Sequence, residues 1–272
     1  MNYKEVRILT KDNLKLYGWF IIKDRKSPTI IYFHENAGNI GMRLPYCEFL
    51  YKSLNVNILL VGYRGYGYSE GSPSEKGIMI DSEAIVDYAL YNDNSEISEY
   101  IDKDNVYILG RSLGGAVAVH IINKLNLKIK GLILENTFSS MSDMVDHLFP
   151  MITHLKKFLL KNNWPTKSII SNISLPILFI SSSNDELVPF HHMESLYSLA
   201  TRSLFKHKYI VLGGTHNESW QRYPKEYFKE LEKFFTKCGG VEKLESITEE
   251  DGNEENTSIN REEETYLINK DL

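Results

Sequence analysis

Apolar residues in this chain fall into short continuous runs, separated by longer stretches in which they recur every three or four positions. Residues 29–33 (TIIYF), 57–61 (NILLV), 106–109 (VYIL) and 132–134 (LIL) are runs of the first kind, each ending in small or polar residues. Such runs suit strands buried on both faces, as in a parallel sheet. Two more follow at 177–180 (ILFI) and 209–212 (YIVL). Over residues 78–91, Ile80, Ala84, Ile85, Tyr88 and Ala89 share one helical face, while Asp81, Glu83 and Asp87 share the other. Residues 113–124 predict a second helix, whose Gly114, Gly115, Ala116 and Ala118 are small enough to press against a sheet, and 225–237 predict a closing helix. Strand and helix in alternation predict an α/β fold, with a mostly parallel central sheet and helices on both faces. Residues 5–9 and 15–22 flank Lys11, Asp12 and Asn13 and read as an antiparallel hairpin on the sheet edge.

Residues 137–175 break this rhythm, inserting helical, Met- and Phe-containing sequence between two strands where a short connection would suffice. They predict a small helical cap, either extra packing or a lid that touches substrate. At 272 residues the chain can bury one sizeable core, assigned to residues 1–238. Residues 239–272 hold eleven acidic against three basic residues and read as a solvated, disordered tail. The formal charge of −5 belongs to that tail: the other 238 positions hold 28 basic and 25 acidic residues. A body so slightly basic, with no aromatic interleaving among its lysines, excludes a nucleic-acid-binding role. Cys47 and Cys238 share no CxxC spacing, which fits a reducing compartment. Charged and amide residues interrupt the N-terminus every few positions, leaving no apolar run of secretory or membrane-spanning length. The chain is therefore expected to be soluble and cytoplasmic, with membrane association only through peripheral contact or an anchor preceding this sequence.

The sharpest chemical signal is Gly110-Arg111-Ser112-Leu113-Gly114, a G-x-S-x-G motif directly after VYIL and at the start of the small-residue helix. At such a strand-to-helix turn the backbone is strained so that the serine hydroxyl is exposed, and side chains at the flanking glycines would collide with neighbouring backbone. A serine needs a base to take its proton and an acid to orient that base. Asp185, after ILFI, and His216, in the glycine-rich loop after YIVL, follow in the expected order. His191 and His192 are rival bases at the start of a helix, and Glu135, at the end of LIL, is the rival acid. Asp87 and Asp93 read as solvated. A tetrahedral intermediate needs two N–H donors: Leu113 is assigned the first and Asn36 the second, with Ala37 the near alternative. His34 is assigned to hydrogen bonding of its loop rather than to catalysis.

HENAGNIG, YRGYGYSEGSPSEKG, GRSLGGAVA, ENTFSSM and GGTHNESW together resemble the alpha/beta-hydrolase domain-containing serine hydrolases of the bem-like branch, over residues 16–235. The resemblance implies the alpha/beta-hydrolase fold, places Ser112, Asp185 and His216 at the family's catalytic positions, and gives the HENAGN loop the oxyanion role. It also implies substrates with acyl chains, among them palmitoyl thioesters on proteins and lysophospholipids. The family usually carries glycine where this chain has Glu35, which sets a carboxylate beside that loop. Members often begin with a membrane-spanning helix that this sequence does not show.

These features predict a serine hydrolase that cleaves carboxylic esters or thioesters through an acyl-enzyme, with no metal or cofactor and an acyl ester or lipidated protein as its partner. The apolar stretch over 141–160 points to an apolar acyl chain. The alternative is a catalytically silent interaction protein on a hydrolase scaffold. A dinucleotide-binding reading of Gly65-Tyr66-Gly67 fails on spacing, because Glu70 stands where the third glycine belongs.

Overall fold

In the computed structural model, described over residues 1–148, 151 and 160–239, eight strands form one sheet. They are β1 (Asn2–Leu9), β2 (Lys15–Ile22), β3 (Thr29–Phe33), β4 (Asn57–Val61), β5 (Val106–Arg111), β6 (Gly131–Glu135), β7 (Ile177–Ser182) and β8 (Lys206–Val211). Their order is β1-β2-β4-β3-β5-β6-β7-β8, with β1 and β2 antiparallel and all pairs from β4 to β8 parallel. The hairpin is as expected, with Asn13 at φ 63° in its turn and Leu9 opposite Lys15.

Among the described residues the helices of eight residues or more are α1 (Leu44–Leu54), α2 (Glu75–Leu90), α3 (Leu113–Leu125), α4 (Met141–Leu148), α5 (Phe190–Leu199) and α6 (Pro224–Lys237). The continuous apolar runs are explained by two cores, one on each face of the sheet. Ile31, Phe33, Leu59 and Ile108 face α2 and α3, while their neighbours Ile30, Tyr32, Leu60 and Leu109 face α1 and α6. Ser74 starts α2, its side chain accepting from Gly77 N at 3.1 Å. Asn55 and Asn126 end α1 and α3 in the left-handed conformation that asparagine tolerates.

Three expectations change. The last strand begins at Lys206 rather than at Tyr209; it lies at the sheet edge, half-buried, so its first half carries Lys and His instead of a continuous apolar run. Helix α1 has no counterpart among the expected elements. Asp81, placed on the solvated face of α2, is fully buried, because Arg64 meets it through its backbone N–H (2.8 Å) and its Nε (2.9 Å). The guanidinium then reaches Asp12 in the hairpin turn at 2.8 Å, so the ion pairs fasten α2, the loop after β4 and the hairpin together. Cys47 is buried, and burial pushes its thiol pKa up. Residues 149–150 and 152–159 of the expected cap, and the acidic segment from residue 240, lie outside the described residues. Among the described residues no helix is long and apolar enough to cross a membrane.

Candidate active site

Ser112 sits between β5 and α3 with φ 52° and ψ −120°, a backbone conformation that non-glycine residues rarely adopt. The turn is held from both sides: Ser112 N donates to Glu135 O at 2.9 Å, and Thr137 Oγ1 donates to Ser112 O at 2.6 Å. The glycines are required sterically. A Cβ at Gly110 would stand 2.4 Å from Gly114 O, and one at Gly114 would stand 1.9 Å from Phe33 O at the end of β3.

Asp185 follows β7 and His216 follows β8, and the two meet, with His216 Nδ1 2.7 Å from Asp185 Oδ2 and both side chains almost fully buried. The second carboxylate oxygen of Asp185 accepts from Leu187 N (2.9 Å) and Val188 N (2.7 Å), which fixes its orientation. With Nδ1 engaged, Nε2 is the ring nitrogen left for proton transfer. Ser112 and His216 line one cavity of about 890 Å³, together with Asn36, Ala37 and Leu113. Leu113 opens α3, where the peptide N–H has no partner within the helix. The Asn36 side chain is occupied, its Oδ1 accepting from Tyr66 Oη at 2.6 Å.

The rival residues lie elsewhere. Glu135 is fully buried and accepts from Tyr227 Oη (2.8 Å) and Tyr46 Oη (3.3 Å). His192 is buried against Ser139 Oγ at 2.8 Å, and His191 stacks on it with ring centres 4.5 Å apart. His34 stacks on Tyr63, and its Nδ1 lies 2.7 Å from Glu35 O; burial holds its pKa down at about 4, so it is a neutral structural group.

Several functional neighbours were not singled out from sequence. Arg111 is buried and donates through Nη2 to His216 O at 2.7 Å, while its Nη1 lies 3.0 Å from Glu35 Oε1. Asn136, at φ 45°, donates to the same carbonyl at 3.0 Å and to Ser219 Oγ at 2.9 Å. Two donors therefore anchor the histidine loop to the ends of β5 and β6. Glu35 is buried, with Arg43 Nε 2.9 Å from its Oε2, so its charge is balanced by two guanidinium groups. Arg43 also donates to Ala37 O, bracing the loop that carries Asn36. Arg111 lies inside the serine motif and Asn136 directly after β6, but nothing in sequence spacing tells which carbonyl they reach.

The family model described as "alpha/beta hydrolase fold" matches residues 28–162. The alpha/beta hydrolase domain-containing protein WAV2 of Arabidopsis thaliana is 34% identical over 249 residues, covering 86% of this chain and 79% of that protein. Protein bem46 of Schizosaccharomyces pombe is 37% identical over 203 residues, covering 73% of this chain and 66% of that one. Among solved structures, the Pyrococcus furiosus esterase Pf2001 superposes with a TM-score of 0.71 at 21% identity, over 87% of this chain and 91% of the esterase, a likeness of fold.

Proposed function

The chain belongs to the alpha/beta-hydrolase family, in its bem46-like branch, and from that premise we propose that it hydrolyses carboxylic esters or thioesters of acyl chains through an acyl-enzyme on Ser112. The observation that carries this reading is a serine at a strained elbow sharing a cavity with a histidine whose Nδ1 is engaged by a buried carboxylate. Ser112 Oγ attacks the acyl carbonyl carbon while His216 Nε2 takes its proton, and Asp185 stabilises the imidazolium. The N–H groups of Leu113 and Asn36 stabilise the tetrahedral oxyanion. Collapse breaks the bond to the leaving oxygen or sulfur, which receives the proton from His216; water, deprotonated by the same histidine, then releases the acid and restores Ser112.

The apolar lining from Phe138, Met141, Met144 and Trp164 supports an apolar acyl group as the portion bound, and these cap residues as substrate-contacting rather than remote packing. Labelling with a fluorophosphonate probe tests the reading. Native protein is expected to label and Ser112→Ala not to label at all. A folded wild type that fails to label would move the assignment to an interaction protein on a hydrolase scaffold.

A further inference from the structure

The cavity lining is mixed: Glu35, Asn36, Arg43, Arg111 and His216 contribute polar groups, whereas Ile78, Phe138, Met141, Met144 and Trp164 also line it and belong to one packed apolar cluster. Trp164 stands out among these for its backbone: its φ is 45°, where a bulky residue is rare and persists only when its surroundings over-determine it. They do so here. Glu75, at the first turn of α2, accepts from Trp164 N at 3.2 Å and from Asn163 N at 2.5 Å through one carboxylate oxygen. Glu75 N donates in return to Asn162 Oδ1 at 2.9 Å. Met141 N, opening α4, donates to Asn163 O at 2.8 Å, and Thr166 N donates to Trp164 O at 2.7 Å. The segment is thus pinned between the first turns of α2 and α4, and its indole is only 3% exposed while still lining the cavity.

The position of the ring along the cavity follows from α3. The indole stands edge-on to His120, ring centres 5.5 Å apart. Ser112 caps α3, and His120 lies seven positions after Leu113 on that helix, which at 1.5 Å per residue is about 10 Å along its axis. An acyl chain bonded to Ser112 and running along the apolar lining would meet the indole after a medium-length span. We infer that Trp164 is the end wall of the acyl pocket and the residue that limits acyl-chain length. This rests on the acyl-enzyme reading above and assigns a specificity to the same cavity. A longer chain must bend or displace a ring that five hydrogen bonds to its segment hold in place; removing the ring opens the pocket toward His120.

The test is kcat/KM on the full chain for p-nitrophenyl esters from acetyl through octanoyl to palmitoyl, in the wild type, Ser112→Ala, Trp164→Phe and Trp164→Ala. The wild type is expected to decline beyond octanoyl. In Trp164→Ala the palmitoyl-to-octanoyl ratio should rise by about tenfold or more, the scale of adding methylene-sized space to an apolar pocket. Trp164→Phe should move the ratio less, in the same direction, and it carries the test if the alanine variant does not fold. An unchanged ratio in the folded variants, alongside Ser112-dependent turnover in the wild type, overturns the end-wall assignment alone. Absence of Ser112-dependent turnover of any ester in the wild type overturns the acyl-enzyme reading and the wall with it.

Discussion

Gly114 shows how little room the elbow leaves at the scale of one residue. A single methyl there would lie 1.9 Å from Phe33 O and 2.9 Å from His34 O, both backbone atoms that cannot swing aside. Gly114→Ala should therefore force α3 away from β3, moving Ser112 and the Leu113 N–H together. The expected cost is about 3 kcal/mol, at the upper end of overpacking penalties, with loss of fluorophosphonate labelling. Urea unfolding and labelling of the variant check this; a variant as stable and as reactive as the wild type would mean that the elbow tolerates bulk. The same tightness makes Arg111 and Asn136 intelligible. Both emerge at strand ends beside the serine, and each gives a donor to the same carbonyl, that of His216.

At the scale of elements, α2 is tied in by charge as well as by its apolar face. Asp81 is buried beneath Arg64, which also grips Asp12 across from it, so three segments distant in sequence share one guanidinium. Removing one member of a buried pair leaves the other charge uncompensated. Asp81→Ala is expected to cost about 3 kcal/mol, toward the low end for a broken buried pair because Asp12 remains on Arg64. Chemical denaturation measures it, and a loss below roughly 1 kcal/mol, the scale of an exposed pair, would refute the buried coupling. The loop after β4 that carries Arg64 also brings Tyr66 to Asn36, so the hairpin side of the sheet and the proposed oxyanion loop share a support.

Acid stability is a property of the whole molecule, and His34 sets part of it. Burial holds its pKa down at about 4, while an unfolded histidine takes up its proton near 6.5. Between those values the unfolded chain binds a proton that the folded chain refuses. The contribution is therefore fully present above about pH 6.5 and is lost as pH falls toward 4, by up to about 3 kcal/mol. His34→Gln, which keeps a polar partner for Glu35 O, should flatten the decline in unfolding free energy across that window by a comparable amount. An equally steep decline in the variant would show that other groups carry it. The cavity illustrates a second molecule-wide effect: the loops after β3, β5, β6, β7 and β8 and the described parts of the expected cap all line it, so residues as far apart as Asn36 and Gln221 share it.

The strands of the body, the hairpin, three of its helices and the serine, aspartate and histidine at their loops were all legible in the amino-acid order. Each is written in near neighbours: continuous apolar runs mark doubly buried strands, and G-x-S-x-G marks a turn whose sterics are local. Edge strand β8 and helix α1 were harder to read because their apolar signal is diluted by half-exposed positions. Most other partnerships were not legible. That Glu35 is neutralised by Arg43 and Arg111, that Asp81 is buried and that Trp164 is forced to positive φ against the cavity were decided only when the sheet order set distant loops side by side. Pattern within a segment depends on the residues next to one another along the chain, whereas the partner of a charge depends on which segments the whole fold makes adjacent.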